Sequence, residues 1–125
     1  MREIKFRGYN GEKWLFGNLE INYKTKQACI SDNCFWRRPV RFDTVGQFTG
    51  LKDCKGQEIY EGDVLRDPDG KTLEVVWNNG AGSWECAHED YHFLFIMRYI
   101  DVMTVIGNVH DSPKLLEAQN DSFKI

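Results

Sequence analysis

The sequence is short of proline, of long apolar runs and of a dominant charge sign, and each shortage excludes something. Three prolines in 125 residues leave no material for a polyproline segment or a proline-rich linker. The longest strongly apolar stretch, Phe93 to Met97, ends at Arg98 and is far shorter than the roughly 20 residues a membrane-crossing helix needs. Sixteen Lys and Arg against nineteen Asp and Glu give a net charge of −3. A general attraction to phosphate backbones or anionic lipid is therefore not built into the whole chain, and any nucleic-acid binding has to be local. Met1 to Arg7 alternates charged and apolar residues and lacks the apolar stretch of an export signal, so the expected location is cytoplasmic. No internal repeat is present.

What the chain has is aromatic and apolar bulk, 14% and 42% of its residues, enough for one hydrophobic core at this length. The expected organisation is one β domain over residues 1–117 and a flexible polar tail over 118–125. Cys29, Cys34, Cys54 and Cys86 should be free thiols in a reducing compartment, behaving as small apolar side chains.

Period-2 alternation recurs along the sequence. Ile4 and Phe6 alternate with charged residues, Asn10 and Gly11 suit a tight reversal, and Trp14, Phe16, Leu19, Ile21 and Tyr23 extend the pattern into a hairpin or meander. A strand is expected over Ala28 to Ile30. The segment to Arg38 reads as an edge or loop, because Pro39 cannot donate to a ladder. Gly46, Gly50, Gly56 and Gly62 break the middle into turns and short strands. Leu73, Val75 and Trp77 mark one face of a strand that Asn79 and Gly80 turn back toward Trp84, and two further strands are expected over Tyr91 to Met97 and Tyr99 to Val109. Ser112 and Pro113 suit the start of one short helix ending at Glu117. The predicted fold class is all-β, a small barrel- or sandwich-like domain of short antiparallel strands with one short C-terminal helix.

Four groups of residues invite a chemical reading. His88-Glu89-Asp90-Tyr91-His92 matches in letters the zinc-hydrolase signature, with His110 or Glu117 as a third ligand. That chemistry needs a helix, and the glycines before it and the β-prone residues after it disfavour one. A polar loop is the plainer reading. Cys29 and Cys34 with Cys86 and His88 would supply a structural zinc site, but only the first two have suitable spacing. Glu58, Glu61 and Asp63 invite acid–base work, yet carboxylates beside turn glycines are ordinarily solvated. Phe35, Trp36, Arg37, Arg38 and Arg41 combine aromatics with cations at an edge. Charge protecting a sheet edge is the plainer reading; the composition also suits a protein interface, and after that single-stranded nucleic acid.

Three blocks give the chain a wider resemblance: Arg2 to Arg7, Gly46 to Val64, and Val105 to Leu116. Together they resemble the YopX family from end to end. Cys54 and Phe48 are departures from the family pattern. The motif residues Gln47, Thr49, Gly50, Asp53, Gly56, Tyr60, Glu61, Gly62, Asp63, Gly107 and Asn108 are read as turn and framework positions, with Asp53 and Gly56 as the first and fourth residues of a turn. The resemblance implies a compact β protein encoded by phages or prophages of a bacterial host, with no activity established for the family.

The resulting expectation is a non-enzymatic accessory protein without a cofactor. It would bind copies of itself as a homo-oligomer, by isologous pairing, or bind a phage or host protein, with Trp36 as the anchor. The alternatives are a small metal-dependent hydrolase at His88, Glu89 and His92, and a single-stranded nucleic-acid binding protein.

Overall fold

The computed structural model describes residues 2–32, 36–88, 91–93 and 100–116. It is all-β, with two antiparallel sheets, as the alternation predicts. Two compact units divide the chain, Met1–Gly50 and Leu51–Ile125.

The first unit holds β1 (Phe6–Tyr9), β2 (Trp14–Asn22), β3 (Gln27–Ser31), β4 (Arg37–Val40), a 3-10 turn (Phe42–Thr44) and the start of β5 (Gly46–Lys52). The sheet order is β4-β3-β2-β1-β5. β2 is long enough to serve two partners: Trp14 to Gly17 pair with β1, and Asn18 to Asn22 pair with β3. The strand is one period-2 element, so Trp14 and Phe16 do not share a face with Leu19 and Ile21. Leu15, Leu19 and Ile21 pack on the core of Ala28, Ile30 and Val40, whereas Phe16 is 49% exposed. Tyr23 has left the strand and meets Phe42 edge-on at 6.3 Å.

This sheet curls strongly. A Cβ on Gly8 of β1 would lie 2.6 Å from Val40 on β4, three strands away in the order. The Arg41 N–H donates to the Tyr9 carbonyl at 2.8 Å, and the Tyr9 N–H donates to Thr44 Oγ1 at 2.9 Å. The end of the outermost strand thus returns to β1. At the bend of β2, a Cβ on Gly17 would stand 2.1 Å from the Ser31 carbonyl oxygen, so only glycine lets the two backbones approach.

β5 carries the chain across the boundary, and β6 (Glu58–Tyr60) neighbours it in the strand order. The second unit is completed by β7 (Asp63–Arg66), β8 (Thr72–Asn78), β9 (Ser83–His88), β10 (Tyr91–Phe93) and β11 (Thr104–Asn108), in sheet order β10-β9-β8-β7-β11. Ile59, Leu65, Leu73, Val75, Cys86, Ile100 and Met103 form its core. Leu73 and Val75 are buried as predicted, but Trp77 on the same face is 42% exposed, because it sits at the hairpin end and meets Trp84 there at 5.0 Å. The β8–β9 reversal is centred differently from the Asn79-Gly80 expectation. The Asn78 carboxamide oxygen accepts from the Gly80 and Ala81 N–H groups, and Gly82 takes the positive φ of 65°.

A 3-10 turn, Ile100–Val102, precedes β11, so the predicted strand from Tyr99 begins only at Thr104. β11 carries a bulge: Val105 faces Leu65 and Gly107 faces Val64, which leaves Ile106 extra. Residues 114–116 are helical; Glu117 and the proposed tail over 118–125 lie outside the described residues. Among the described residues, no helix is long and apolar enough to cross a membrane.

Candidate contact surface

β4 is an end strand of the first sheet, and Pro39 lies within it. Its register follows from pairing with β3: Pro39 opposite Cys29, Arg38 opposite Ile30 and Arg37 opposite Ser31. Trp36, immediately before the strand, is 73% exposed, and Arg37, Arg38 and Arg41 are exposed beside it. Phe35 lies outside the described residues. Arg37 pairs with Glu20 on β2, and that hydrogen bond and charge raise the guanidinium pKa above its ordinary value. Between them opens a shallow groove of about 570 Å³, with Glu20, Cys29, Arg37 and Pro39 among its walls.

Arg41 belongs to a second arrangement. Its guanidinium lies 5.5 Å from the Tyr9 ring, Tyr9 stands 5.4 Å from Trp14, and Arg7 lies 4.7 Å from Trp14 on the other side. These two cations are held against π faces, so Arg41 is less available than its exposure suggests. Glu20 and Tyr9 were not singled out in the sequence. The available signal was their parity: Glu20 alternates with Leu19 and Ile21, which places it on the open face with Trp14 and Phe16.

The family-motif residues lie in strands and turns. Gln47 pairs with Phe6 in β5, Thr49 is buried, and Gly50 has φ of 86°. The Asp53 carbonyl accepts from the Gly56 N–H at 3.0 Å, closing the predicted four-residue turn, with Gly56 at φ of 84°. One Asp53 carboxylate oxygen accepts from Lys55 and Gln57 N–H at 2.8 and 2.9 Å. The other accepts from the Val105 N–H of β11 at 2.9 Å. Burial alone would push this carboxyl up, but the N–H donors of Val105, Gln57 and Lys55 outweigh it and hold the pKa below the ordinary value.

Gly62, at φ of 91°, donates its N–H to Val75 and accepts at its carbonyl from Val109, both at 2.9 Å. Gly107 lies so close to Leu115 that a Cβ would come within 2.8 Å of its Cδ1. The Asn108 carboxamide oxygen accepts from His110 and Asp111 N–H at 3.0 and 2.8 Å, which turns the chain toward the C-terminal helix.

The three-carboxylate group differs from its expected solvated state. Asp63 is only 2% exposed, because its carboxylate turns inward to accept from the Tyr60 N–H at 2.7 Å. Glu58 accepts from the Tyr60 hydroxyl at 3.4 Å. Glu61 instead acts on Glu74, whose pKa is raised first by burial and then by the Glu61 charge.

The two histidines of the zinc-hydrolase signature occupy different strands. His88 ends β9 and His92 is central in β10, with Tyr91 paired to His88 and His92 to Ala87. Glu89 lies outside the described residues. A β-hairpin replaces the helical turn that this metal chemistry requires. Among the described residues no group of three or more His, Cys, Asp or Glu is placed to hold a metal ion. The thiols also differ among themselves. Cys86 is a core thiol with its pKa pushed up to about 12 by burial, Cys29 is half-buried and Cys54 is exposed, with its Sγ 3.5 Å from Thr104 Oγ1. Cys34 lies outside the described residues. Cys54, carried on a turn, is therefore not packed as a small apolar side chain of the core.

The fold is similar to that in the crystal structure of protein EF1440 from Enterococcus faecalis, with a TM-score of 0.60, 23% identity, and coverage of 93% of this chain and 99% of that one. At this identity the likeness establishes a shared fold. No curated protein matches the chain. The family model described as YopX protein matches residues 5–117, nearly the whole length and including every motif turn described above. The chain belongs to the YopX family.

Proposed function

We propose that this chain is a non-enzymatic accessory protein of phage or prophage origin that works in the bacterial cytoplasm by binding a protein partner, in the first place a further copy of itself. The observation that carries this reading is Trp36, 73% exposed and followed at once by the Arg37 and Arg38 of an end strand. A tryptophan left in water offers apolar surface to a partner, and such Trp–Arg anchors typically contribute about 2 kcal/mol or more at an interface. The motif residues support the reading indirectly, because their polar groups are spent on turns.

A sedimentation concentration series on the wild type and Trp36→Ala, with thermal melts of both, tests this. The expected result is a shifted association midpoint in Trp36→Ala with an unchanged melt at concentrations where both proteins are monomeric. A wild-type monomer up to high micromolar concentration would overturn it.

A further inference from the structure

The first unit carries a second group of rings and cations, at the end of β4 away from Trp36. Arg41 follows that strand, whereas Trp36 precedes it. The Arg41 guanidinium lies over the Tyr9 ring, Tyr9 meets Trp14, and Arg7 lies over Trp14. Phe42, next to Arg41 in the chain, meets Tyr23 edge-on. A row of four rings and two guanidiniums therefore links the β2–β3 reversal, at Tyr23, to the β1–β2 reversal, at Trp14. Phe42 packs on the core and Arg7 is buried. Tyr23 is exposed, and Tyr9 and Trp14 are half-buried, so three rings of the row keep surface in water.

Cations flank these rings. Lys24 and Lys26 follow Tyr23 in a turn fixed by Asn22, whose carboxamide oxygen accepts from the Lys24 and Thr25 N–H groups at 3.0 and 3.2 Å. Lys13 precedes Trp14. Lys13, Lys24, Lys26 and Arg41 are all exposed, and none of the four is in an ion pair among the described residues. The exposed acids beside them in the chain are Glu12 and Asp43, so the cations lead by four to two. Stacking on Tyr9 occupies the face of the Arg41 guanidinium and leaves the N–H donors in its plane for an oxyanion.

Exposed cations beside solvent-facing rings match a flexible polyanion that carries π faces of its own: phosphates meet the charges and unstacked bases lie on the rings. A duplex keeps its bases stacked on one another, and an acidic polypeptide draws on the cations alone. We infer that this face of the first unit, from Tyr23 through Arg41 to Trp14, binds single-stranded nucleic acid. Tyr23 is the stacking platform, and Lys24, Lys26 and Arg41 are the phosphate contacts. The site does not include Trp36 and stands or falls apart from self-association.

Fluorescence anisotropy of a labelled oligothymidylate of about 15 nucleotides, titrated with the full chain as wild type, Tyr23→Ala and Lys24→Gln, tests this. The wild type should bind at about 50 mM salt, and about 200 mM salt should weaken binding about twentyfold, as three phosphate contacts on a single strand require. Tyr23→Ala should weaken binding about tenfold. Lys24→Gln should lower the slope of log affinity against log salt by about 0.7. Both variants should melt like the wild type; a melt lowered in Tyr23→Ala leaves the decision to the salt slope of Lys24→Gln. Unlabelled duplex of the same length and polyglutamate should each compete at least about tenfold less well than unlabelled oligothymidylate. No binding at low salt up to high micromolar concentration, an affinity that salt or both variants leave unchanged, or equal competition by duplex or polyglutamate overturns the site.

Discussion

The two units use their unusual side chains in opposite ways. The first leaves Trp36 and Tyr23 exposed at 73% and 74% and carries the excess of cations. The second turns several acidic and amide side chains inward, with Asp53, Asp63, Glu85 and Asn108 all buried. Two turns within the second unit sharpen the point. Asp53 to Gln57 and Asp67 to Lys71 share one design: an aspartate whose carbonyl accepts from a glycine three residues on and whose carboxylate accepts from N–H groups two and four residues on. Asp67 closes its own hairpin, whereas Asp53 also reaches Val105 of β11. The family motif therefore marks a place where distant strands are joined, and the surface we propose for contact lies elsewhere, on the first unit.

The largest expected effects break these joints. Asp53→Ala removes three hydrogen bonds and strands a part-buried N–H at Val105, which should cost about 3 kcal/mol in chemical unfolding. In the first unit, Gly17→Ala puts a Cβ against the Ser31 carbonyl oxygen and should cost about the same. An unchanged denaturation midpoint in either would show that the joint is not structural.

The pH dependence should separate two carboxylates. The folded pKa of Asp53 lies below its unfolded value, so its contribution is complete above the unfolded carboxylate range and is lost as pH falls through the folded pKa. Glu74 has the opposite sign. Its folded pKa is raised, so it costs nothing in acid and becomes destabilising as pH rises through the unfolded and then the folded value. Glu74→Gln should therefore raise the melting temperature at neutral pH and leave it unchanged in acid. Asp53→Asn should flatten the acid limb of the stability profile.

Smaller effects sharpen the contrast. Asp67→Ala should cost about 1 kcal/mol, the worth of a local turn cap, and an effect as large as that of Asp53→Ala would erase the distinction between the turns. Trp36→Ala should change folding stability by less than about 0.5 kcal/mol, as expected for an exposed side chain.

What was legible in the sequence was local. Asp53 and Gly56 announced their turn through residue type and spacing, Pro39 marked an end strand by its missing N–H, and Ser112 with Pro113 placed the helix start. What was not legible joins residues far apart. The Asp53–Val105 bond spans 52 positions. Gly17 looked like an ordinary strand interruption, because the carbonyl it admits belongs to Ser31 on the next strand. Trp14 and Phe16 were grouped with Leu19 and Ile21 because apolar residues recur there, and only the strand's strict period separates the two faces.

Whether this protein binds through the Trp36 edge is decided by sedimentation equilibrium of wild type and Trp36→Ala across low to high micromolar concentration at low salt. The account predicts self-association in the wild type, weakened by about tenfold or more in Trp36→Ala, while the two proteins melt alike. Equal association by both proteins, or a melt lowered in Trp36→Ala at every concentration, would contradict it.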